Sequence, residues 1–95
     1  MTAGTNVRLE NVVVRAKSGN VVRVRYGKHE IFVSPPDPAK LDFIAVGAKI
    51  NVQGTLRRTP SAPKARLQYA MHTGEARRLA RTRFYVDAWA LTAAN

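Results

Sequence analysis

Between Arg57 and Arg83 the chain carries eight cationic side chains (Arg57, Arg58, Lys64, Arg66, Arg77, Arg78, Arg81 and Arg83) against one acid, Glu75. Guanidinium groups present donors in a planar fork that matches phosphate oxygens. A run of them along a groove neutralises phosphates and releases the counterions condensed on a nucleic acid. A second set of cations, Arg15, Lys17, Arg23 and Arg25, lies near the start of the chain. The 95 residues have a formal net charge of +10, and it is unevenly placed. Residues 1–27 hold five basic and one acidic side chain, residues 28–56 three of each, and residues 57–95 eight and two. So much charge on a small domain repels itself unless an anionic partner relieves it, and nucleic acid is the commonest such partner. A merely solubilising surface accounts better for mixed Lys and Glu than for an arginine excess in one segment.

Nucleic-acid binding also needs flat groups on which bases stack. Phe32 and Tyr69 are candidates, and Phe32 serves as platform or as core according to the phase of its strand. Tyr26 shares the apolar face of Val22 and Val24 and is expected in the core. Phe43 is expected to plug the interior. Near the end of the chain Phe84, Val86 and Ala88 alternate with Tyr85, Asp87 and Trp89. The small Ala88 and Ala90 suit a crowded interior, which places Tyr85 and Trp89 outward, against bases or against another subunit. Catalysis finds no support. His29 and His72 are isolated in sequence, the six acids form no cluster, and no cysteine is present to bind metal as thiolate or to form a disulfide. No catalytic, metal or cofactor site is expected, and no small-molecule substrate.

The elements that must position these groups follow from hydrophobic period. Val46 to Arg58, VGAKINVQGTLRR, alternates with a period of two. Ala48, Ile50, Val52 and Leu56 lie on one side, and Lys49, Asn51, Gln53, Thr55 and Arg57 on the other. Gly54 interrupts it, and a glycine inside a strand marks a bulge, a bend or a close backbone approach. Val7 to Arg15, Val21 to Tyr26 and His29 to Val33 read as three earlier strands joined by short turns. Asp37-Pro38 matches a helix start, which predicts a short helix over Pro38 to Ala45. Thr59 to Thr82 reads as a mobile basic excursion with partial helix, although Leu67, Tyr69 and Met71 also alternate as in a hairpin. Arg83 to Thr92 returns as the last strand. The whole, residues 1–95, is one all-β domain: a five-stranded oligonucleotide-binding (OB) barrel, with a short helix between strands 3 and 4 and a long flexible basic loop, about residues 59–82, between strands 4 and 5. No run of apolar residues is long enough to cross a membrane, and MTAGTNVRLE has no apolar signal core. A cytoplasmic protein without membrane partners is expected.

VGAKINVQGTLRR, followed by a basic excursion and then FYVDAWAL, resembles the fourth-to-fifth-strand segment of the bacterial single-stranded DNA-binding proteins and their primosomal relatives. The resemblance covers roughly residues 46–92. The first strand departs from it, having Glu10-Asn11 where those proteins usually carry a glycine. The resemblance implies a non-catalytic homo-oligomer, a dimer or tetramer, that binds single strands with little sequence specificity. On the OB pattern, strands 2 and 3 and the 1–2 and 4–5 loops meet the nucleic acid. That assigns Arg15, Lys17, Arg23, Arg25, Phe32, Arg57, Arg58, Lys64, Arg66, Tyr69, Arg77, Arg78, Arg81 and Arg83 to the interface. Single-stranded DNA is the expected ligand. An RNA-binding module and a protein adaptor using Tyr85 and Trp89 are the alternatives.

Overall fold

A computed structural model of the chain describes residues 4–37, 44–69 and 71–94. The elements follow in the order β1 (Asn6–Ser18), β2 (Val21–Tyr26), β3 (His29–Ser34), β4 (Lys49–Arg58), α1 (Ala62–Tyr69), α2 (Thr73–Arg81) and β5 (Phe84–Ala93). The strands close into a barrel in the order β1-β2-β3-β5-β4. β4 returns to pair with β1, and β3 meets β5 in parallel through Val33↔Val86 and Ser34↔Asp87. This is the five-stranded OB-type barrel that the alternating patterns predict. The helix expected over Pro38 to Ala45 lies mostly outside the described residues, as does Phe43, and Ile44 and Ala45 are not helical. Among the described residues no helix is long and apolar enough to cross a membrane.

Closure depends on β1, which pairs with both β2 and β4 and must bend between them. Its register against β4 slips between Leu9 and Val12. Asn11, inside that slip, has φ +54 and donates its backbone N–H to the Asn51 side-chain oxygen at 3.0 Å. Asparagine tolerates the left-handed region better than most residues, so it serves here where glycine is the usual choice.

Two apolar clusters result. The first fills the barrel with Val22, Val24, Val33, Ile50, Val52, Leu56 and Val86, all at most 3% exposed, together with Leu9, Val12, Val14 and Ala88. The second lies outside the barrel wall and joins Val21, Phe32 and Tyr85 to Ala65, Met71, Ala76 and Leu79 of the helical segment. The excursion between β4 and β5 is therefore a packed pair of helices, neither a loose loop nor a hairpin. Their residues are good helix formers, and Ala76 and Leu79 sit three apart on one face, both fully buried.

Candidate nucleic-acid interface

The helical pair covers the outer surface of β2, β3 and β5. Along each strand alternate residues point out of the barrel, and on these three they include Val21, Phe32 and Tyr85. An apolar outer face must itself be buried, and α1 and α2 supply the burial. The cover is pinned where its two helices meet. Ser18 Oγ accepts the His72 N–H at 2.9 Å, and the Asn20 N–H donates to the Tyr69 carbonyl at 2.7 Å. The Tyr69 and Tyr85 hydroxyls are 2.8 Å apart, and their rings meet edge to face at 5.9 Å. Burial, and then the Tyr85 hydroxyl, push the Tyr69 phenol well above its ordinary pKa.

Several interface expectations change as a consequence. Phe32 is 2% exposed beneath the cover and belongs to a core, not to a stacking surface. Tyr85, expected outward, does leave the barrel wall but is 9% exposed under the same helices. Tyr69 is partly buried against it. Arg23 is held from both sides. Its guanidinium pairs with Glu30 of β3, and its Nε lies 3.4 Å from the Glu75 carboxylate of α2, leaving the Arg23 side chain only 15% exposed. The Arg23 Nε and that Glu75 oxygen are both buried without a well-directed hydrogen bond. Tyr26, expected in the core, is 49% exposed. It keeps the inward phase of Val22 and Val24 but is the last residue of β2, so its ring reaches only the rim of an apolar mouth lined by Val7, Leu9, Ile31 and Leu56.

The remaining cations sort by element. Arg77, Arg78 and Arg81 are exposed on α2, on the side away from Ala76 and Leu79. Arg77 and Arg81 are four apart, and Arg78 and Arg81 three apart, so the three form one face of one helix. Arg78 and Arg81 also occupy its last turn, where cations are stabilised by about 0.3–1 kcal/mol against the partial negative charge of the helix end. Lys64 and Arg66 are exposed on α1. At the root of the cover Arg57 and Arg58 pair in register with Tyr85 and Phe84, and the Thr59 N–H donates to the Arg83 carbonyl at 3.2 Å. Arg58 and Arg83 line one shallow cleft. Arg57 is engaged by Asp87, Nε to Oδ2 at 3.3 Å. Arg15 is exposed at an irregularity of β1 where the β2 register slips, and Lys17 is exposed nearby. Arg25 is exposed on β2 and donates to the Gly27 carbonyl. His29 and His72 stand apart, one at the β2–β3 turn and one at the N-cap of α2.

The arrangement divides the charge. Glu75, the one acid between Arg57 and Arg83, is turned inward to Arg23, while the eight cations of that segment are exposed. The outer surface of the helical cover is thereby left positive, while at its root Arg57 keeps the half-exposed Asp87 as a partner.

No family model and no curated protein matches this chain.

Trp89 escaped the assignment to the interface. It is 52% exposed on β5. Its place in an alternating strand is the signal that predicts this outward phase.

Proposed function

We propose that this chain is a non-enzymatic binder of single-stranded nucleic acid, DNA above all, that uses the outer face of its helical cover rather than the bare strands of the barrel. The observation that carries this reading is the segregation of charge just described: Arg57, Arg58, Lys64, Arg66, Arg77, Arg78, Arg81 and Arg83 exposed, and Glu75 removed to the inside. The contacts of such a surface are to phosphate, made by guanidinium forks held on a rigid helix, so sequence preference is weak. Affinity falls with salt as each neutralised phosphate releases its counterions, with a slope in log K against log[salt] of about −0.7 per phosphate for a single strand.

The test is a titration of fluorescein-labelled oligo-dT, read by anisotropy at several salt concentrations. The double variant Arg77→Glu, Arg78→Glu removes two phosphate contacts, so its slope is expected to be shallower than the parent's by about 1.4 (two contacts at about 0.7 each). Both residues are exposed, so the fold should survive and the variant's melting temperature should confirm it. No binding by the parent at low salt refutes the reading. An unchanged slope in the double variant refutes the assignment of the surface. Competition with RNA of the same length ranks the two nucleic acids.

A further inference from the structure

The second feature with unspent chemistry lies on the barrel face that the cover leaves bare. In the β4–β5 pairing Gly54 faces Ala88 and Gln53 faces Ala90. Gln53 and Gly54 are adjacent, so Trp89 is an extra residue with no partner, the mark of a β-bulge. A bulge re-aims the side chain it carries, and such features concentrate beside functional sites. Here it sends the indole of the only tryptophan outward, 52% exposed. The bulge depends on Gly54, since a Cβ there would lie 2.6 Å from the Asp87 carbonyl oxygen.

The indole divides two hollows. On one side is a cleft of about 240 Å³ lined by Pro35, Pro36, Asp37, Ile44, Leu91 and Thr92. On the other the lining is Asn6, Val7, Arg8 and Gln53. A flat π-surface bordered by two carboxamides and a guanidinium is suited to an unpaired base. The ring supplies the stacking face, and the amides supply donors and acceptors to the base edge. The same strand leads to the basic cluster: Asp87, two residues back, holds Arg57, and Phe84, five residues back, pairs with Arg58. At the rise of an extended strand those five residues span about 17 Å.

We infer that Trp89 is a stacking platform for one unpaired nucleobase of a strand whose phosphates are held by Arg57, Arg58 and Arg83. This rests on the functional reading above and adds a base contact to it. It also places that contact on the β4–β5 side of the barrel, because the β2–β3 side is closed by helices. A protein partner is the weaker occupant. The hollow beside Asn6 and Gln53 mixes amide and apolar lining, and Arg8 there is already paired with Glu10 at 3.1 Å.

Because Trp89 is the only tryptophan, its emission reports the site directly. Oligo-dT should quench tryptophan fluorescence over the same concentration range in which the anisotropy of labelled oligo-dT rises. A duplex of equal length, whose bases are already stacked, should leave the emission unchanged. Trp89→Ala should weaken oligo-dT binding roughly 5- to 150-fold, the loss of one stacked base, and Trp89→Phe should recover most of it. If the parent binds by anisotropy while its emission is unmoved and Trp89→Ala binds equally well, the platform is refuted and the basic cover stands. If the parent does not bind at all, the functional reading fails and takes the platform with it. If Trp89→Ala lowers the solution mass without weakening binding, the tryptophan belongs to an interface between copies of the chain, and the platform is again refuted.

Discussion

Adding a single methyl group at two glycines should move stability in opposite directions. Gly54 lies inside β4 opposite the bulge. A Cβ built there meets the Asp87 carbonyl oxygen and a Val86 methyl at 2.6 Å, and the Ala88 Cα at 2.8 Å. Ordinary contacts between carbon atoms lie at about 3.5–4.0 Å, so the new methyl is short by roughly an ångström. Two of the three obstacles are backbone of the paired strand and cannot rotate away. The third, Val86, is fully buried in the barrel. Relief therefore requires β4 and β5 to separate, at the cost of their ladder. Overpacking of this kind costs about 1–3 kcal/mol. Gly74, in the first turn of α2, has nothing within 4 Å of its would-be Cβ. There the methyl acts through the unfolded chain, whose freedom it reduces, and should stabilise by about 0.4–1 kcal/mol. In a domain of this size 1 kcal/mol moves the melting temperature by about 4–8 °C. Gly54→Ala should therefore melt about 4–24 °C below the parent, and Gly74→Ala a few degrees above it. Circular dichroism melts of the three proteins decide the matter. If Gly54→Ala melts with the parent, the close strand approach argued here is wrong, and with it the dependence of the Trp89 bulge on glycine.

The cover allows two further tests. Leu79→Ala removes a fully buried side chain from the second apolar cluster and should cost about 2–5 kcal/mol there. Among the described residues the barrel's own cluster contains none from α1 or α2, so hydrogen exchange should quicken in the helices while β1 and β4 stay protected; uniform loss across the chain would show one core instead of two. The raised pKa of Tyr69 gives the cover an alkaline limit. A group whose pKa is raised on folding contributes stability that is complete below its unfolded value, here 10.0, and is lost as pH climbs above that. Stability should therefore decline above about pH 10, and Tyr69→Phe should flatten that decline while costing about 0.5–1.5 kcal/mol at neutral pH for the lost hydrogen bond to Tyr85. Equal alkaline slopes in parent and variant would remove Tyr69 as the cause.

The strands were legible because each carries one apolar face, and a period of two is hard to produce by accident over ten residues. Ile50, Val52 and Leu56 are buried and Lys49 and Arg57 exposed as their alternation requires. Gly54 announced its close approach in the same way. What alternation gives is the side of a sheet, and it says nothing of what lies over that side. Phe32 and Tyr85 do point out of the barrel, and both are buried because the helical segment between β4 and β5 packs over them. Tyr26 fails for the opposite reason: its phase is inward, but its strand ends there and no wall encloses it. The helices were obscured by their own composition. Their buried faces use alanine more than large residues, and the largest aliphatic side chain of α1, Leu67, is 88% exposed. Leu67, Tyr69 and Met71 thus mimic a strand. A signal for the cover existed in the outward apolar residues of three strands, Val21, Phe32 and Tyr85, which together demand burial by something.

That demand has a consequence for the proposed activity. A barrel that exposes cations on a loose loop must order that loop on binding, and each immobilised long side chain costs about 0.5–1.5 kcal/mol besides the backbone. Here the backbone of Arg77, Arg78 and Arg81 is already fixed by α2, which is fixed in turn by Leu79 and Ala76 on Phe32 and Val21 and by the Ser18 contact to His72. The apolar outer face of the barrel is thus the foundation on which the basic surface is built. In the proposed function the binding chemistry lies on the helices, because the outer barrel face formed by Val21, Phe32 and Tyr85 holds the helices in place. The arrangement favours contacts spaced by the geometry of a helix over contacts that adapt to the strand. Shortening the affinity of such a surface to a count of its charges would miss this: the same eight cations on an unfolded segment would share the salt dependence but bind more weakly, since they would first have to be ordered.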